Sequence, residues 1–104
     1  METHQPSISV VIPNYNGKNL LEKNLPFVFQ ALKSSHITDF EIIISDDASK
    51  DDSVAFVKNN YPSIIFIESV VNVGFGGNCN RAILKSTKEL VFLLNSDVQL
   101  TEGY

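Results

Sequence analysis

Four short apolar runs, rich in β-branched residues, constrain this chain more than any other feature. They lie at 8–12, 40–44, 64–67 and 90–94. Each is nearly continuous rather than alternating, which is how strands covered on both faces read, and such strands are usually parallel. Parallel neighbours cannot be joined by a tight turn, and the segments between the runs are long enough for crossover helices. The pattern predicts β-α-β-α-β-α-β, an open α/β sheet with right-handed connections. At 104 residues the chain is one domain or a piece of one. A chain of that length buries about two thirds of its unfolded surface.

The crossovers carry their own signals. From 18 to 35, Leu21, Leu25, Val28, Phe29 and Leu32 recur at helical spacing. Pro26 cannot donate an interior helix bond, so the helix either kinks there or follows a short turn with its cap at Asn24. The second helix is expected to start at Ser49-Lys50-Asp51-Asp52, a serine cap with carboxylates in the first turn. Val54, Phe56 and Val57 would face the sheet, and Tyr61-Pro62 would end the helix. The third is expected over 76–85, with Ala82 and Ile83 as its apolar contacts.

Composition removes several function classes. Hydrophobic residues are 43% and charged residues 19%, which excludes a disordered tail and a coiled coil. No apolar run approaches the roughly 18 residues of a membrane span. The polar start, Met1 to Gln5, lacks the order of a signal peptide, so export is not expected. A net charge of −4 disfavours broad nucleic-acid binding, where phosphate neutralisation supplies most of the affinity. One cysteine, Cys79, permits neither an internal disulfide nor a thiolate metal cluster, and it reads as a small helix residue in a reducing compartment. His4 and His36, both in polar surroundings, do not suggest a zinc site.

Chemistry collects where the runs end. Pro13-Asn14-Tyr15-Asn16-Gly17 follows the first and Asp46-Asp47-Ala48-Ser49 the second. Glu68-Ser69 follows the third and Asn95-Ser96-Asp97 the fourth. In a parallel sheet these ends share one edge, and ligands bind there at the point where the strand order reverses.

These segments resemble a known family. Ser9-Val-Val-Ile-Pro-Asn-Tyr-Asn16 is similar to the opening strand of inverting family 2 glycosyltransferases of the GT-A fold. Asp46-Asp47-Ala48-Ser49-Lys50-Asp51 is similar to their Asp-Asp-Gly-Ser-x-Asp motif, and 72–80 to their Asn-x-Gly segment. Asn95-Ser96-Asp97 resembles Asp-x-Asp. Weak singly, the four are specific in this order and spacing, and they span nearly the whole chain. Gly74-Phe-Gly-Gly-Asn and Leu94-Asn-Ser-Asp97 resemble the rhamnosyltransferase-like branch. Two departures stand out. Cys79 occupies the place of a common arginine, while Arg81, two residues on, points roughly the other way on a helix. Asn95 replaces the first acidic residue of Asp-x-Asp and adds no charge.

The resemblance implies a sheet of strand order 3-2-1-4 with helices on both faces, and a site for a nucleotide-diphosphate sugar. Its expected residues are Pro13, Asn14, Tyr15, Asp46, Asp47, Gly74, Asn80, Asn95 and Ser96. Asp47 would accept N3–H of uracil or thymine, beside the ring of Tyr15, while Asp46 supports the loop. Read without the resemblance, the acidic pair serves to cap the following helix. Gly74, Gly76 and Gly77 either admit the donor to the backbone or only make a turn. Asp97 is the expected ligand of Mg²⁺ or Mn²⁺. A diphosphate beside a bare carboxylate is repelled by about 4 kcal/mol at about 4 Å and a dielectric near 20. A bridging cation reverses that sign.

Two rival classes fit less well. A dinucleotide-dependent oxidoreductase needs G-x-G-x-x-G after the first strand, where Pro13 to Gly17 stand. A phosphoacceptor receiver domain wants its acidic pair after the first strand rather than the second. The chain reads as the N-terminal, nucleotide-sugar-binding part (1–104) of a glycosyltransferase that transfers to a glycan or lipid-linked saccharide. Its general base is expected beyond residue 104, and the chain by itself is expected to be inactive. The whole protein is expected in the cytoplasm, with peripheral association at the inner membrane face as a compatible setting.

Overall fold

The computed structural model describes residues 6–94. The elements run β1 (Ile8–Asn14), α1 (Lys18–Ser34), β2 (Phe40–Asp47), α2 (Ser53–Asn60), β3 (Ile65–Ser69), α3 (Gly74–Lys85) and β4 (Leu90–Leu93). All pairings are parallel and the order is β3-β2-β1-β4, as expected. Both central strands outlast their apolar runs. The ladder pairs Ile8 with Phe40 and continues to Asn14 with Asp46, so polar residues occupy its last rungs.

The alternation of β1 and β2 divides the core between the two faces. Val10, Ile12, Ile42 and Ile44 pack with Leu21, Leu25 and Leu32 of α1 and Val57 of α2. Val11 and Ile43 point the other way, against Ala82 of α3. Each fully buried aliphatic side chain contributes about 1.5–3 kcal/mol. Helices therefore lie on both faces.

Three local expectations are corrected. α1 is one helix from Lys18 through Pro26, so the alternative of a short turn with a new cap at Asn24 is not taken. Pro26 and Glu22 are both exposed, so water can take the carbonyl that the missing N–H abandons. α2 begins at Ser53, not at Ser49. Ile83 is 39% exposed, because only Ala82 of that pair faces the sheet.

At the opposite edge of the sheet, Glu41 stitches the α3–β4 connection to β1. Its carboxylate accepts from Ser9 Oγ at 2.6 Å and from the Thr87 N–H at 2.7 Å. Partial burial pushes the Glu41 carboxyl up, but the bonds from Ser9 and Thr87 and the charge of Lys88 outweigh it and hold it below its ordinary value. β4 is thereby held in register, yet all four of its residues are exposed, Phe92 at 61%.

Candidate functional site

Asp46 locks the ends of β1 and β2 together. Its Oδ1 accepts from Asn14 Nδ2 at 2.9 Å and from Ser49 Oγ at 2.6 Å, and its Oδ2 accepts the Ser49 N–H at 2.9 Å. Ser49 reaches back because Ala48 sits at φ +62°, the left-handed region. That turn explains why Ser49 caps no helix. An alanine there carries strain of about 1–2 kcal/mol, which glycine relieves at an entropic cost of about 0.5–1 kcal/mol. Ala48→Gly is expected to gain about 0.5–1 kcal/mol, read as a higher urea midpoint.

Asp51 takes over the capping. Its carboxylate accepts the Lys18 N–H at 3.1 Å, at the start of α1, and the Ser53 N–H at 3.0 Å, at the start of α2. Burial raises the Asp51 carboxyl, but bonds from Ser53 and Lys18 prevail and bring it below its ordinary value. One carboxylate thus satisfies donors at two helix N-termini that no local cap serves.

Asp47 has a different partner. Its side chain is 0% exposed, and it caps α3 rather than the helix that follows it in sequence. Oδ1 accepts the Val73 N–H and Oδ2 the Gly74 N–H, both at 2.8 Å. Asn72 Nδ2 donates to the Asp47 carbonyl at 3.2 Å. The turn works because Gly74 adopts φ +87°, a conformation costly for any side chain. Gly76 has open space where a Cβ would lie.

One stripe of α3 faces this cluster: Gly74, Asn78 and Arg81, at i, i+4 and i+7. Asn78 is buried, its Oδ1 accepting from Ser45 Oγ at 2.6 Å and its Nδ2 donating to the Asn14 carbonyl at 3.4 Å. Arg81 donates to the same Asn78 oxygen at 3.3 Å, and its other terminal nitrogen lies 3.8 Å from Asp47 Oδ1. Burial pushes the Cys79 thiol up, as suits an inert packing residue.

The expected site residues thus separate into groups. Asn14, Asp46, Asp47 and Gly74 come together, with Pro13 buried beneath and Tyr15 half-buried after the strand. Asn80 is exposed on α3, roughly opposite the stripe. Asn95, Ser96 and Asp97 lie outside the described residues. Sequence reasoning missed Asn78 and the position of Arg81, although their spacing from Gly74 was available as a signal. Among the described residues, no three His, Cys, Asp or Glu side chains gather as a metal cluster. No described helix is long and apolar enough to cross a membrane.

Comparison with known proteins agrees with this fold. The description Glycosyl transferase family 2 matches residues 9–104. GalNAc(5)-diNAcBac-PP-undecaprenol beta-1,3-glucosyltransferase of Campylobacter jejuni is 31% identical over 94% of this chain and 32% of its own length. Poly(ribitol-phosphate) beta-glucosyltransferase of Bacillus spizizenii is 33% identical over 86% of this chain and 14% of its own. The chain therefore spans a third or less of these relatives. Among solved structures, a mannosyltransferase from Pyrobaculum calidifontis in complex with GDP-Man and Mn²⁺ superposes with a TM-score of 0.77 at 24% identity. That match covers 91% of this chain and 28% of the other. S. aureus TarS in complex with UDP gives 0.73 at 22% identity, over 88% and 27%. A parallel sheet of this order, with its polar cluster under α3 and a family match over nearly all its length, places the chain in glycosyl transferase family 2.

Proposed function

We propose that this chain is the donor-binding part of a glycosyltransferase that moves a sugar, with inversion, from a UDP- or dTDP-linked donor to a glycan or lipid-linked acceptor. One observation carries the reading. Asn14 joins Asp46 through its side chain and Asn78 through its carbonyl, and Asp47 caps α3 next to them, all at the carboxyl edge of β1 and β2 beside the reversal of strand order between β1 and β4. That crevice is where open α/β sheets bind ligands. The names of the relatives, which act on undecaprenol-linked or ribitol-phosphate acceptors, support the acceptor class. Those relatives transfer glucose, while the rhamnosyltransferase-like motifs favour a deoxysugar, so glucose and rhamnose are the two sugars to test.

In this reading Tyr15 lies along the base, on the floor shaped by Pro13 and Asn14, and Gly74 lets the backbone approach. Asp47 accepts the pyrimidine N3–H. A carboxylate has about four lone-pair sites, and Val73 and Gly74 use two. Because the side chain is fully enclosed, a base reaches it only as the turn 72–74 yields.

Asp46 and Asp47 are already committed to hydrogen bonds and do not suit a cation. Mg²⁺ or Mn²⁺ needs only one or two carboxylates besides phosphate oxygens and water, so Asp97 would hold it, with Asn95 and Ser96 contacting the sugar or ribose and Asn80 on the outer rim. Such a cation supplies Lewis-acid stabilisation to the departing diphosphate. The general base belongs to residues beyond 104.

A melting-shift screen of UDP, dTDP, GDP and CMP with Mn²⁺ tests the reading. UDP and dTDP are expected to stabilise most. GDP should lag by about 1–3 kcal/mol of binding, the cost of one unpaired polar group. Asp97→Ala should remove the dependence on Mn²⁺. A largest shift with GDP would overturn the pyrimidine assignment.

A further inference from the structure

The carboxylate of Asp47 has two donors poised on one oxygen. The Val73 N–H holds Oδ1 at 2.8 Å, and Arg81 stands 3.8 Å from the same atom. A charge-assisted bond closes to about 2.7–2.9 Å, so the pair has slack. The guanidinium is not loose, however. It is tethered to Asn78 at 3.3 Å, and Asn78 is itself fixed by Ser45 and the Asn14 carbonyl. Arg81 brings five N–H donors to the site and is a quarter exposed, while Asp47 is enclosed.

From this geometry we infer that Arg81 is the positioning residue for base recognition: it holds Asp47 Oδ1 in place when the seated base displaces the turn at Val73. The inference rests on the proposed pyrimidine site, and it assigns the arginine a partner other than the diphosphate. An enclosed carboxylate that loses one N–H must find another donor or carry the desolvation alone. Among the described residues, Arg81 is the cation already paired with it. Its place on the stripe of Gly74 and Asn78 explains why Cys79, which points into the core, is dispensable as an arginine position.

The test compares uridine, which has no phosphate, with UDP plus Mn²⁺. Ligand-observed NMR titrations would be run on the wild-type chain, Arg81→Met and Arg81→Lys, with thermal melts alongside. Arg81→Met is expected to weaken uridine and UDP by the same factor, about tenfold, the scale on which groups behind a ligating residue act. Its melting temperature should stay close to wild type, because Arg81 is partly exposed. Arg81→Lys should recover part of the loss, keeping the charge without the fork. Loss of UDP binding with uridine unchanged would overturn the inference in favour of a diphosphate contact. Unchanged binding of both would overturn it outright. Should Arg81→Met fail to fold, the uridine-to-UDP ratio in Arg81→Lys decides between the same outcomes. If the wild-type chain binds neither ligand, the pyrimidine site itself fails and the inference falls with it. Wild-type binding undiminished in the variants removes the inference alone.

Discussion

Asp47→Ala is expected to destabilise the chain by about 3–5 kcal/mol, against a total of about 5–15 kcal/mol for a domain of this kind. The substitution deletes the acceptor of two backbone N–H groups at the start of α3 and strands Arg81 beside a cavity. Each unsatisfied buried donor costs about 1–3 kcal/mol, and loss of a helix cap alone costs about 0.5–2 kcal/mol. Urea denaturation followed by circular dichroism measures the loss. Asp47→Asn separates stability from recognition: it keeps the shape but turns an NH₂ group toward a backbone N–H, at about 1–3 kcal/mol. Enough of that variant should stay folded to show weakened discrimination of UDP from GDP. Wild-type stability in Asp47→Ala would mean that the first turn of α3 does not lean on this cap.

The second large effect belongs to Asp46. Its three accepted bonds tie β1, β2 and the turn at Ala48 into one unit. Asp46→Ala is expected to cost about 2–4 kcal/mol, less than the sum of its bonds because Asn14 retains Ser49 Oγ at 3.4 Å. The folded fraction should keep the preference for UDP over GDP. Adjacent carboxylates would then differ in kind, one governing stability and the other governing both stability and base choice. A melting-shift series on the two alanine variants and Asp47→Asn reads that contrast. A lost preference in Asp46→Ala would show that the two act jointly.

The element order was legible in the continuous apolar runs, while the strand order followed from the family resemblance. Coverage on both faces holds for β1 and β2, where Val11 and Ile43 are enclosed on the α3 face and Val10 and Ile44 on the other, but not for the exposed β4. The ends of the elements were less legible. Ser49 satisfies every local rule for a helix cap, yet the left-handed Ala48 turns its hydroxyl back to Asp46, a tertiary demand that overrides propensity. The acidic pair looks like two similar residues in sequence. Alternation along a strand sends them to opposite sides, one to the β1 end and one to α3. Asn78 escaped notice because a motif reading stresses Asn80, whereas the 74, 78, 81 spacing picks out the face that touches the sheet.

The two margins of this sheet differ in what they would accept beside them. Along β3, Glu68 is exposed and paired with Lys58 at 3.3 Å, so a newcomer strand must first displace charge. Along β4, Leu90–Leu93 offers four uncharged side chains, and among the described residues no strand pairs with it on the side away from β1. Charged edges discourage pairing and bare apolar ones invite it. The sheet is consequently polarised for growth. Strand addition is discouraged at β3 and open at β4 among the described residues, so β4 is the margin that would accept a further strand, whether from the rest of the protein or from a second copy.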